Sequence, residues 1–348
     1  MFRRNFFMIP NQQQQILLAS RPNGKPVKEN FQFEQVSVPT PSDNEILVKT
    51  LYLSVDPYMR GRMSSAKSYV EPFKLNEPIH GGVVAQVVES KSDSFKVGDY
   101  VTGMLGWQEY SIASKKTVRK VDPELAPVTT ALGILGMPGL TAYLGLLNIG
   151  NPKEGETLVV SGAAGAVGSI VGQIGKIKGA RVIGIAGSDE KISYLKDTLG
   201  FDDAINYKTT DNLRAALKTA CPNGIDIYFE NVGGEIADAA MSLLNKHARV
   251  PVCGAISSYN KKGGEDLGPR IQPYLIKSSA LMKGFIVNDY SHEFKDASIQ
   301  LGKWVKEGKL LFEETITEGF ESIPEAFLGL FEGKNLGKQL VKVAEPAE

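Results

Sequence analysis

The chain has 348 residues, enough for two ordinary domains with separate cores. Lysine plus arginine balances aspartate plus glutamate at 39 each, so no net field favours nucleic acid or a membrane surface. Two cysteines, Cys221 and Cys253, are too few for a disulfide scaffold and point to a reducing compartment. Met1 to Met8 carries arginines and three phenylalanines, but Pro10 and the run Gln12–Gln15 break it before signal-peptide length. Residues 1–12 therefore read as a loose extension, and the expected location is cytoplasmic. No span approaches a transmembrane helix.

The first third reads as strands. Glu45–Val55, Gly81–Glu89 and Asp99–Met104 are rich in β-branched residues and bounded by Gly, Pro and Asp, the signature of a small barrel. From about Pro127 the pattern changes. Thr129–Leu147 predicts a helix interrupted at Met137-Pro138-Gly139. After Gly155, strands are expected at Leu158–Ser161, Arg181–Ala186, Ala204–Asn206, Ile225–Glu230, Arg249–Cys253 and Met282–Val287. Helical spacings such as Leu213/Ala216/Leu217/Ala220 and Ala237/Met241/Leu244 separate most of them, which predicts a doubly wound parallel sheet. Pro251 conflicts with a central strand. The tail after about Lys309 turns β-like again and is expected to complete the first domain. The predicted division is residues 1–136 with 308–348, and residues 137–307.

Between the first strand and first helix of that sheet stands Ser161-Gly162-Ala163-Ala164-Gly165-Ala166-Val167-Gly168. Such a turn presents backbone N–H groups and a helix N-terminus to a pyrophosphate. Gly165 lets the backbone approach phosphates, and Gly168 is expected to let the helix pack close to the strand. Ala163 stands where the strict dinucleotide pattern wants glycine. The second strand ends in Ala186-Gly187-Ser188, without the acid that binds a ribose 2′-hydroxyl in NAD sites. Asp189 and Glu190 read instead as first-turn carboxylates behind a Ser188 cap. Lys191 can reach a 2′-phosphate, or it is a solvated helix lysine; the balance favours NADPH.

Zinc dehydrogenases need Cys and His ligands, yet no cysteine precedes residue 221, and His80 is followed by Gly81-Gly82 with no acid beside it. None of the twelve tyrosines has lysine four residues on, which removes the Tyr/Lys proton relay. No metal is expected. Hydride transfer without Lewis acid or relay suits a carbon–carbon double bond conjugated to a carbonyl, because the enolate needs only hydrogen bonds.

The segments Ser54–Arg60, Gly136–Tyr143, Ser161–Gly168, Ala186–Lys191, Tyr228–Gly234, Cys253–Tyr259 and Asn335–Lys338 together resemble the zinc-independent medium-chain dehydrogenase/reductases. The subgroup is that of the prostaglandin reductases, alkenal double-bond reductases and curcumin reductases, and the likeness runs from about Gln14 to Val343. It implies an α/β protein: a GroES-like β-barrel domain, a Rossmann doubly wound parallel sheet, a cleft between them and a homodimer. It implies that Gly165, Ala166, Val167 and Gly168 hold the pyrophosphate, with Lys191 and Tyr207 at the 2′-phosphate. Asn231, then Cys253, Gly254, Ala255, Ile256, Ser257, Ser258 and Tyr259, then Phe285, Ile286 and Val287, and Asn335 would line the rest of NADPH. Tyr259 would face the substrate carbonyl as the catalytic donor. Tyr52 and Tyr58 are as readily barrel packing as substrate wall. The implied reaction is NADPH-dependent reduction of an enone or enal, with no nucleic-acid or membrane partner. A quinone reductase of the same superfamily is the alternative enzyme, and a non-catalytic NADPH-binding regulator the alternative of another class.

Overall fold

A computed structural model describes residues 8–347; residues 1–7 of the expected loose extension lie outside the described residues. The chain divides into two compact units, residues 8–132 with 315–334 and 339–347, and residues 133–314 with 335–338.

The first unit begins with the antiparallel pair β1 (Gln12–Leu18) and β2 (Phe31–Ser37). Next come β3 (Ile46–Ser54), a one-turn helix α1 (Met59–Arg62), β4 (His80–Ser90), β5 (Tyr100–Gly106), β6 (Tyr110–Ala113) and β7 (Val118–Val121). β3 pairs antiparallel with β4 and β6, and β5 with β4 and β7. Val83, Val84, Ala85 and Val87 of β4 are fully buried and Gln86 and Val88 nearly so, so both faces of the strand's middle are covered.

The second unit holds α2 (Met137–Gly145), β8 (Thr157–Ser161), α3 (Gly168–Ile177), β9 (Arg181–Ala186), α4 (Asp189–Ser193), β10 (Asp203–Asn206), α5 (Leu213–Ala220), β11 (Ile225–Phe229), α6 (Gly234–Met241), β12 (Leu244–Val252), α7 (Gln272–Ser278), β13 (Leu281–Gly284) and α8 (Phe294–Lys306). The order β10-β9-β8-β11-β12-β13 is parallel throughout. Ile170, Val171 and Ile174 of α3 are at most 2% exposed. Each contributes roughly 1.5–3 kcal/mol by leaving water. The chain then returns to the first unit through β14 (Glu314–Glu318), α9 (Ile323–Leu330) and β15 (Lys338–Lys342), which pairs with β3. Phe327 of α9 packs edge-on against Trp107, which stacks on Phe31 at 6.0 Å.

Four local expectations change. Pro138 does not interrupt a helix: α2 starts at Met137 and the proline sits in its first turn, where an N–H has no intrahelical partner to lose. The strand expected at Arg249–Cys253 begins earlier, at Leu244, with a register shift opposite Ile225/Ile227 and His247 at φ 64°. The last strand of the sheet ends at Gly284, so Phe285, Ile286 and Val287 follow it. Finally, Pro251 lies in β12 between two parallel neighbours. Its carbonyl still accepts the Glu230 N–H at 2.9 Å, so the interior strand loses one donor only.

Candidate dinucleotide site

The sheet order reverses between β8 and β11, and the carboxyl ends of parallel strands at such a switch are where ligands bind. β8 ends at Ser161, Gly162 turns the chain at φ 59°, and Gly165 N–H closes on the Gly162 carbonyl at 3.0 Å. A Cβ on Gly168 would run into that same carbonyl and lie 2.8 Å from Ala163 Cα. Glycine at 168 is thus demanded by the turn's own backbone, not by the strand as expected. A Cβ on Gly165 would touch only Gly162 O, at 3.3 Å, so glycine keeps that face of the turn free of side-chain bulk. Val167, the residue before α3, has no side chain to cap the helix. The N–H groups around Ala166, Val167 and Gly168 therefore suit an anion. Ala163 is accommodated by a compensating glycine: its methyl would sit 3.1 Å from a Cβ at Gly184 of β9.

At the end of β9, Ser188 Oγ accepts the Lys191 N–H at 3.3 Å, capping α4 as expected, with Asp189 and Glu190 in the first turn. Asp189 accepts from Asn206 Nδ2 at 2.7 Å. Tyr207 N–H donates to Ala186 O, which brings the ring beside Gly187. A Cβ on Gly187 would lie 3.0 Å from the Tyr207 ring and 3.1 Å from Lys208 Cε. Burial, and then the charge of Lys208, hold the Lys191 ammonium below the ordinary lysine range, with Glu190 opposing. Lys191 and Lys208 thus both stand near the end of β9. Lys208 escaped the sequence reading because it resembles any loop lysine after a strand; its only signal was adjacency to Tyr207.

Beyond β11, Asn231 donates from its backbone to Ser161 Oγ and from Nδ2 to Ser161 O, both at 2.8 Å. The segment Cys253-Gly254-Ala255-Ile256-Ser257-Ser258-Tyr259 is laced onto it. Ile256 N–H meets Asn231 O at 3.3 Å, and Ser257 N–H meets Val232 O at 2.9 Å. Tyr259 Oη accepts the Ala255 N–H at 3.3 Å and lies 3.1 Å from where a Gly254 Cβ would be. Burial and the nearby Glu230 carboxylate push the Cys253 thiol up to about 12, so it stays protonated. Ser257 Oγ is buried beside Gly233 and Gly234 with no hydrogen-bond partner among the described residues. Asn335 Nδ2 donates to Gly337 O, and Gly337 N–H to Ala164 O, both at 2.8 Å, so that segment lies along the glycine turn.

Phe285 behaves differently: its ring packs 6.3 Å from Phe229 and fills the space beside Gly145 of α2. Ile286 and Val287 are half-buried and lead into a tight turn closed by Asp289. His80 heads β4 in the other unit. Among the described residues no three His, Cys, Asp or Glu side chains are grouped as a metal site.

Residues 14–121 match the family described as the N-terminal domain of oxidoreductase, and residues 166–303 the family described as zinc-binding dehydrogenase. The chain is 48% identical to the NADPH-dependent curcumin reductase of Escherichia coli over 94% of its length and 96% of the relative's. It is 44% identical to an NADP(+)-dependent 2-alkenal reductase of Nicotiana tabacum, covering 95% of this chain and 97% of that one. The crystal structure of CurA in complex with NADPH from Vibrio vulnificus superposes with a TM-score of 0.91 at 48% identity, covering 96% of this chain and 100% of that one. The chain belongs to the zinc-independent medium-chain dehydrogenase/reductases, in the group of the prostaglandin, alkenal double-bond and curcumin reductases.

Proposed function

We propose that this protein is an NADPH-dependent reductase of the carbon–carbon double bond of α,β-unsaturated ketones and aldehydes. The observation that carries the reading is a site of one design in a chain nearly half identical to an NADPH-dependent curcumin reductase: a bare glycine turn, a pair of lysines at the next strand end, and a tyrosine loop beyond. The residues fit the dinucleotide. Gly165, Ala166, Val167 and Gly168 offer uncapped N–H groups to the pyrophosphate; Lys191, Lys208 and Tyr207 meet a 2′-phosphate. The buried Ser257 hydroxyl still lacks a partner, as a side chain meant for a ligand should. Asn231, Asn335 and residues 253–259 line the remainder.

Bound there, NADPH supplies a hydride for the substrate's β-carbon. The protein then has to hold the negative charge that develops on the substrate oxygen. Tyr259 carries a hydroxyl that already accepts an N–H, which strengthens it as a donor toward a second oxygen.

We assign the protein to the cytoplasm, in keeping with two free cysteines; no helix among the described residues is long and apolar enough to cross a membrane. We also assign it as a homodimer. Among the described residues β13 pairs only with β12 and leaves an open sheet edge, with Leu281 51% exposed on it and Ile276 of the preceding helix α7 79% exposed, an arrangement that invites a second strand. The test of the activity is oxidation of NADPH against a panel of enones, enals and quinones, with NADH in parallel. Turnover confined to quinones, or none with any acceptor, would overturn the double-bond reading.

A further inference from the structure

At the end of β11, in the same unit, sits a carboxylate that the reaction does not call on. Glu230 is 3% exposed, and no basic side chain pairs with it among the described residues. Burying such a charge costs several kcal/mol unless hydrogen bonds replace water. They do so here. Oε1 accepts Val232 N–H at 2.7 Å, Gly233 N–H at 2.8 Å and the Ser161 hydroxyl at 2.9 Å. Successive N–H groups closing on one oxygen form an anion nest, and Gly233 at φ 77° and Gly234 at φ 58° supply the left-handed backbone that lets the loop curl.

The same residue also grips the second loop. Its carbonyl accepts Cys253 N–H at 2.9 Å and Gly254 N–H at 3.1 Å, at the root of the segment that carries Tyr259. Through Ser161 it reaches Asn231, whose backbone N–H donates to the Ser161 Oγ that itself donates to Glu230. Asn231 Nδ2 donates to Ser161 O, which fixes the amide and leaves its second N–H and its oxygen for a ligand.

We infer that Glu230 is the positioning residue of the dinucleotide site: its buried carboxylate orients Asn231 and the 231–234 loop toward NADPH without touching the cofactor. The inference rests on the NADPH reading above, and its test uses binding, which needs no turnover. NADPH dissociation constants of the full-length protein, followed by cofactor fluorescence, are compared for wild type, Glu230→Gln, Glu230→Ala, Asn231→Ala and the double variants. Losing a charged hydrogen-bonding centre should weaken NADPH about tenfold or more in Glu230→Ala. Glu230→Gln keeps an acceptor for the loop N–H groups and should recover most of that loss. The discriminating result is non-additivity: Asn231→Ala should cost far less in the Glu230→Ala background than in wild type, and nearly its full wild-type amount in the rescuing Glu230→Gln background. Independent, multiplying losses would overturn the inference, as would a Glu230→Ala protein that melts earlier yet binds NADPH normally. Should Glu230→Ala fail to fold, the cycle with Ser161→Ala, which removes the hydroxyl joining Glu230 to Asn231, decides by the same criterion. A wild type that binds NADPH but reduces no enone sinks the reaction and leaves this cycle fully readable.

Discussion

Lys191 and Lys208 show how much a single contact can decide. Lys191→Ala should weaken NADPH about ten- to a hundredfold, the worth of a charge-assisted hydrogen bond, and leave NADH nearly unchanged. Equal losses for both cofactors would make the lysine structural. The pH dependence has a definite sign. Burial and Lys208 hold the Lys191 pKa below the ordinary lysine value, so its charge is lost first as pH rises. NADPH affinity should therefore decline with rising pH earlier than a solvent-exposed lysine would allow. Lys208→Ala should shift that decline to higher pH while weakening NADPH about two- to fivefold, the value of one solvent-screened ion pair. An unchanged pH profile would remove Lys208 from the site. Tyr259 is tested by Phe. With a ribose hydroxyl sharing the load, the variant should lose about ten- to a hundredfold in kcat/KM, less than a whole oxyanion donor is worth. NADPH affinity should stay within about twofold, as for a contact made in the transition state alone. Full turnover, or a parallel loss of NADPH binding, would assign the hydroxyl to its loop, where it already meets Ala255 N–H.

Among the elements, the glycine turn is the most demanding. A methyl on Gly168 would meet the Gly162 carbonyl and Ala163 Cα, both backbone, which cannot swing aside as a side chain can. Gly168→Ala should therefore cost about 1–3 kcal/mol of overpacking strain and weaken NADPH in step, read by thermal unfolding and cofactor titration. Normal affinity with normal stability would mean the turn relaxes freely. The strands of the parallel sheet were legible because continuous apolar runs bounded by glycine and aspartate repeat along the chain. α9 was not, since Ile323–Leu330 is short, begins with a proline in its first turn and lies in a stretch read as strand. Its apolar face joins the first unit's core, where Phe327 meets Trp107 and Phe31, the latter nearly 300 residues away in sequence. Pro138 misled for a related reason: proline marks a helix start as readily as a break, and only the preceding turn tells which.

For the whole molecule, the open β13 edge predicts the assembly state. Leu281→Glu with Ile276→Glu would place charge on the exposed edge and its neighbouring helix, and sedimentation should show the mass halved relative to wild type. A doubly substituted protein of unchanged mass would move the interface elsewhere. Both residues are exposed, so the substitutions should leave the sheet's own packing intact.

The sequence by itself determined the class of the protein. The pattern changes from β-branched runs bounded by Gly, Pro and Asp to an alternation of strand and helix, and the glycine turn falls where the parallel sheet must start. The absence of an acid at the end of β9 tipped the cofactor reading toward NADPH. Tertiary structure decided what those signals cannot carry. Lys208 gains meaning only when β10 is laid beside β9, because a cation acts through distance in space. Ala163 packs against Gly184, where a Cβ would lie 3.1 Å from its methyl. The Glu230 network joins the ends of β8, β11 and β12, and hydrogen bonds between strand ends leave no period in the chain that makes them.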